Sequence, residues 1–276
     1  MTKAADTVYS ALQTWRADAA KPLIVGICGA QGCGKSTLTE AVRQRLEGEG
    51  VRAAVLSLDD LYLSRQRRAD IAARYHPLFI TRGVPMTHDA PLGERLMENL
   101  KAGRATLLPR FDKAADQPLP TDKWTPVTGP VDVVMFEGWC VGAVAQSYDD
   151  LIDPVNDFEA EHDPDGIWRR YVNQALMGSY ARLFGYIDRL VLLTAPDFEV
   201  VTRWRTEQEH DLKQKLAREG RTGEHVMSDE AVATFVLAYE RLTRHILSEM
   251  PARADLVLKL DEDRRVTKII SAEDDQ

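Results

Sequence analysis

The apolar positions of this chain fall into two periods that take turns along its length. Short, largely apolar runs, of the kind a strand buried on both faces requires, occur at 23–28, 51–58, 131–136, 190–193 and 256–258, interrupted only by Arg52, Ser57 and Asp132. Between them, apolar residues recur every three or four positions, the spacing of one helical face. Val8, Leu12 and Trp15 predict a helix over 4–19, and Leu38, Ala41, Val42 and Leu46 predict a second that stops near Gly48 and Gly50. Leu92, Leu96 and Leu100 mark a third. A long one is predicted over 167–184, a charged one over 198–217, and a last one carries Val232, Val236, Tyr239 and Ile246. Strand, turn, helix and strand over 23–58 read as a βαβ unit. The whole predicts an α/β chain with a mostly parallel sheet covered by helices on both faces.

Composition narrows this frame. The 276 residues are 44% hydrophobic and 28% charged, enough to bury a substantial core, and one domain spanning 1–276 is the expectation. The net charge of −8 argues against a nucleic-acid partner. No apolar run approaches a membrane span. Residues 1–20 contain Asp6, Arg16 and Asp18, so they do not read as a signal peptide. Cys28, Cys33 and Cys140 lack CxxC spacing, and the expectation is reduced thiols in the cytoplasm. The Pro-rich stretch 109–130 holds Arg110, Asp112, Lys113 and Trp124, and reads as a functional loop.

Chemistry enters directly after the first strand. Gly29, Ala30, Gln31, Gly32, Cys33, Gly34, Lys35 and Ser36, followed by Thr37, fit G-x-x-x-x-G-K-[ST] between an apolar strand and an amphipathic helix. Glycines let successive amides turn inward around a polyanion, and the helix N-terminus adds positive potential. Lys35 suits the β- and γ-phosphates of a nucleoside triphosphate, and the Ser36 hydroxyl suits Mg²⁺. The second strand ends at Asp59 and Asp60, at a C-terminal strand end where open α/β sheets bind ligands. A carboxylate there can take the proton of an attacking hydroxyl. Glu137, after the third strand, can hold Mg²⁺ directly or through water. A P-loop is common to kinases, GTPases, motors and nucleotide-dependent switches. The chain has no N-K-x-D guanine-specificity segment.

The P-loop, SLDDLYLS (57–64), TRGVPMTHD (81–89), LPRFDKA (108–114) and VVMFEGWCVG (133–142) together resemble the D-glycerate 3-kinase family. That family is related to uridine kinase, phosphoribulokinase and pantothenate kinase. The resemblance covers about 23–258 and implies a P-loop fold with a lid, ATP and Mg²⁺, and a small-molecule acceptor, D-glycerate. It implies Asp59 as the catalytic base, with Asp60 as the alternative, and Ser36, Glu137 and Asp59 around Mg²⁺. Lys35 and Arg203 are the expected catalytic cations, with Arg205 a second lid arginine, and the lid falls at about 205–228. Asp60, Tyr62, His88, Asp89, Arg110, Asp112 and Lys113 are the expected acceptor contacts, Arg110 and Lys113 supplying cations for a carboxylate. Another acceptor, such as a nucleoside or pantothenate, and a regulatory switch remain alternatives.

Two further expectations follow from composition. The acidic segment 149–165 reads as a solvated loop. Cys33, near Lys35 and a helix N-terminus, is expected to favour its thiolate, so that oxidation there would block ATP binding.

Overall fold

The computed structural model describes residues 2–19, 22–218 and 227–272. Helix α1 (Thr2–Asp18) leads into β1 (Leu23–Gly29), α2 (Lys35–Gly48) and β2 (Ala53–Ser57), after which a single 3₁₀ turn spans Leu58–Leu61. Helices α3 (Arg65–Arg74) and α4 (Ala90–Lys101) follow. Four short strands then fold the Pro-rich stretch: β3 (Thr106–Leu108), β4 (Phe111–Asp112), β5 (Gln117–Pro118) and β6 (Thr125–Val127). They pair antiparallel, β3 with β6 and β4 with β5, so that this loop is a hairpin inside a hairpin. Next come β7 (Val133–Gly138), α5 (Asp157–His162), α6 (Ile167–Ala175), a π turn (Leu176–Tyr180) and α7 (Ala181–Phe184). The chain ends with β8 (Arg189–Thr194), α8 (Glu199–Arg218), α9 (Asp229–Glu249), β9 (Leu256–Leu260) and β10 (Val266–Ser271).

The main sheet has the order β10-β9-β8-β1-β7-β2. Its first five strands in chain order run parallel, and β10 closes the far edge antiparallel to β9. The apolar runs that predicted strands all became strands of this sheet, and at its middle every residue of β1 and β7 is buried. Strand β7 lies between β1 and β2, so the βαβ unit of 23–58 spans a gap that a distant strand fills. The unread elements are those with weak patterns. Helix α3 carries mostly polar residues, and β10 is an exposed edge with a partial alternation.

One sheet face packs against α1, α2 and α8 through Val8, Leu12, Leu38, Val42 and Trp204. The other packs against α4, α7 and the lower part of α9 through Met97, Leu183, Leu242 and Ile246. Among the described residues no helix is long and apolar enough to cross a membrane.

The acidic segment 149–165 is not a solvated loop throughout. Glu159 and Asp163 are 1% exposed. Arg241 grips Glu159 in a fork, Nε to Oε1 at 2.8 Å and Nη2 to Oε2 at 2.7 Å, and Arg169 Nη1 lies 3.3 Å from Asp163 Oδ2. Buried carboxylates persist because each meets a guanidinium. Arg241 is about 80 residues away in sequence, beyond what local pattern can register.

Candidate active site

The turn between β1 and α2 is shaped by its glycines. Gly32 and Gly34 sit at φ 74° and 92°, where a Cβ is disfavoured. A Cβ on Gly32 would also lie 2.5 Å from the backbone oxygen of Trp204 in α8. Gly34, which precedes α2, gives it no side-chain cap, so no N-cap side chain satisfies the first amides of that helix. Lys35 is half-buried there. Burial works against its charge, and its neighbours Cys33, Glu137 and Asp59 together outweigh it and raise its pKa. Ser36 Oγ donates to Glu137 Oε1 at 3.3 Å, while Glu137 Oε2 is buried without a protein partner. A hydroxyl and an orphaned carboxylate oxygen, both hard donors, suit Mg²⁺ held jointly with phosphate oxygens.

Cys33 is fully buried, and burial pushes its thiol up despite Lys35. The expected thiolate is therefore not favoured: desolvation outweighs the helix terminus and the lysine.

The two acids after β2 have different surroundings. Asp59 is partly exposed and forms an ion pair with Lys113. Burial opposes its charge, but Lys113 and Lys35 prevail and hold it well below the usual carboxylate range. Asp60 faces the other way, accepting from Arg110 Nη1 at 2.7 Å and from the Phe111 amide at 3.0 Å. Burial leaves its pKa raised even so. This carboxylate pins the Pro-rich hairpins to the end of β2.

One cavity of about 260 Å³ gathers Gln31, Lys35, Ser36, Asp59, Tyr62 and Lys113 from the residues singled out by sequence. It also takes in residues that sequence reasoning left out or placed second. Arg82, Trp139 and Tyr239 line it, and Arg205, Gln208 and Glu209 come from α8. Arg205, Gln208 and Glu209 share a helical face, a period that was there to be read. Arg205 reaches Glu209 at 2.5 Å. Arg203 is on the outside of α8, bonded to Glu262 at 3.0 Å.

Other expected contacts are placed behind the cavity wall. His88 is 4% exposed, stacks on Tyr62 at 4.3 Å between centroids, and meets the Tyr180 hydroxyl at 2.6 Å. Burial lowers its pKa from the ordinary 6.5 to about 3, so the ring is neutral. Asp89 caps α4, accepting from the Leu92 amide at 3.0 Å, and pairs with Arg67 at 2.7 Å. Asp112 accepts from the amides of Ala114 and Ala115, a turn that aims Lys113. Arg110 is spanned by Asp60 and by Thr125 Oγ1 at 3.0 Å. Of the lid expected at 205–228, residues 219–226 lie outside the described residues.

The model of the phosphoribulokinase / uridine kinase family matches residues 24–164, from β1 through the acids and β7. The chain belongs to that family. Within the family's P-loop kinases, it is 30% identical over 267 residues to a chloroplastic D-glycerate 3-kinase of Arabidopsis thaliana, covering 90% of this chain. The chain spans about half of that relative's length, 54%. It is also 30% identical over 238 residues to the uncharacterized kinase mug58 of Schizosaccharomyces pombe, 79% of each. Among solved structures, D-glycerate 3-kinase from Cryptococcus neoformans var. grubii superposes with a TM-score of 0.77 at 29% identity, covering 98% of both chains.

Proposed function

We propose that this kinase transfers the terminal phosphate of ATP to the 3-hydroxyl of D-glycerate, giving 3-phosphoglycerate. The observation that carries the reading is the meeting of Lys35 and Asp59 on one cavity beside the uncapped start of α2. An anion-binding helix terminus and a carboxylate face each other there, the pair that transfer of a phosphoryl group to an alcohol needs. Likeness to a D-glycerate 3-kinase over 98% of the chain supports the choice of acceptor.

In this reading the amides of 29–36 and Lys35 hold the phosphates. Ser36 and Glu137, with Asp59 nearby, would hold Mg²⁺, which would supply neutralisation of the negative charge on the phosphates. Asp59 takes the proton from the acceptor hydroxyl as its oxygen bonds to the γ-phosphorus, and the bond to the β-phosphate oxygen breaks to release ADP. A carboxylate held at so low a pKa is a weak base, so proton transfer calls for Lys113 to draw away from Asp59. Arg205, which lines the cavity, takes the role first given to Arg203, meeting the transferring phosphate with two N–H groups. We read 1–276 as one kinase unit, α1 being packed into the same core as β1 and α2, and as a cytoplasmic enzyme with its three cysteines free.

The test is ADP release with Mg·ATP and a panel of acceptors: D-glycerate, uridine, pantothenate and water alone. Release that depends on D-glycerate is expected. Background turnover with D-glycerate removes it as the acceptor, and release that ignores every acceptor would make the protein a nucleotide switch.

A further inference from the structure

Among the described residues, four cations line the cavity: Lys35, Arg82, Lys113 and Arg205. Lys35 serves the phosphate side. Lys113 is paired with Asp59 and Arg205 with Glu209, and Lys35 has Glu137 as well as Asp59 beside it, three acids for three cations. Arg82 is not balanced in this way. Its partner Asp116 accepts from Arg82 Nη1 at 2.5 Å through one oxygen and from Arg68 through the other. Arg68 is 1% exposed, and its remaining bonds go to the backbone oxygens of Leu63 at 2.7 Å and Ile80 at 3.1 Å. One carboxylate therefore serves two guanidiniums, and only Arg82 of the pair reaches the cavity.

Arg82 is also held still. The Tyr239 hydroxyl donates to its backbone oxygen at 3.1 Å. The next residue, Gly83, sits at φ 141°, and a Cβ there would come within 1.6 Å of that hydroxyl. Of the five N–H groups of a guanidinium, two are engaged, by Asp116 and by the Lys113 backbone oxygen at 3.3 Å. A fixed cation with unspent charge and unspent donors is a ready receptor for a planar anion.

We infer that Arg82 binds the carboxylate of a hydroxy-acid acceptor, with Asp116 and Arg68 as positioning residues. The inference rests on the acceptor class proposed above and moves the carboxylate contact away from Arg110, which Asp60 and Thr125 already occupy. A carboxylate drawn to Arg82 lies beside Lys113, whose backbone Arg82 touches, and competes with Asp59 for that ammonium. Acceptor binding would thereby release the base.

The experiment compares Arg82→Gln and Arg82→Lys with the wild-type protein on D-glycerate and on its uncharged amide, D-glyceramide, at saturating Mg·ATP. The expected result for Arg82→Gln is a fall of about 10- to 100-fold in the ratio of kcat/KM for glycerate over glyceramide, the loss of a charged hydrogen-bond pair. Arg82→Lys should lie between the two, keeping the charge and losing the fork. Equal losses on both acceptors would mean a structural role and overturn the inference, as would an unchanged ratio. Asp116 keeps Arg68 as a partner in both variants, so folding is expected to survive, checked by the melting temperature. Wild-type preference for an acceptor without an acid group would sink this inference and the glycerate reading together. Preference for a different hydroxy acid, lost in Arg82→Gln, would sink the glycerate reading alone.

Discussion

The phosphate wall and the acceptor wall of the cavity are built by opposite means. The proposed phosphate wall is one unbroken stretch, 29–37, in which the backbone would do the binding and two glycines at positive φ let it turn. The proposed acceptor wall is assembled from 59, 62, 82, 113, 139 and 239, points spread over 180 residues, and its charged side chains are held by ion pairs. A local turn can be specified by its own residues. A wall of paired charges depends on partners that the sheet order brings together. The first should therefore respond to single changes in an all-or-none fashion, and the second in graded, acceptor-dependent ways.

The largest expected effect lies on the phosphate wall. Lys35→Ala should reduce turnover by about 10³-fold, with loss of nucleotide binding measured by calorimetry. If the variant still bound ATP as well as the parent, the proposed division between the walls would fail. On the acceptor wall, Asp59→Asn should slow transfer by about 10²–10⁴-fold while nucleotide affinity is kept. Asp60→Asn is the control one residue away. It loosens the bonds to Arg110 and Phe111 and should cost much less in kcat, so an effect equal to that of Asp59→Asn would reassign the base.

His88 tests the layer behind the acceptor wall. Its folded pKa, about 3, lies below the unfolded 6.5, so the unfolded chain binds more protons between those values. Stability from this group is complete above the upper value and falls as pH drops, by about 1.4 kcal/mol per pH unit across the window. Urea unfolding of the parent and His88→Gln over that range should show a shallower slope in the variant. Parallel slopes would mean that the ring is not buried neutral. The smallest expected effect is at Cys33. With its thiol buried and its pKa raised, peroxide should inactivate the parent and Cys33→Ser at the same rate, and a protected variant would restore the thiolate expectation.

The pair Asp59 and Asp60 shows how far the chain can be read unaided. Sequence placed both at a strand end, and only the family resemblance put Asp59 before Asp60, because neighbours on a 3₁₀ turn point apart and only tertiary packing sets which one meets Lys113 and which one Arg110. Arg203 and Arg205 repeat the lesson on α8, where facing direction was decided by the packing of Trp204 against Gly32. Arg82 was inside a segment already singled out, yet its surplus charge exists only once Arg68 and Asp116 share one corner.

What the sequence determined by itself was whatever is carried by near neighbours: the phosphate turn, the helices with a clear face, and the buried strands at the middle of the sheet. These rest on φ preferences and on periods of two or 3.6 residues, both set within a few residues of chain. Tertiary structure alone decided the insertion of β7 between β1 and β2, the burial of Glu159 and Cys33, and the placement of Arg82 on the cavity. Burial and charge balance depend on which distant residues come within a few ångströms, and no local pattern contains that distance.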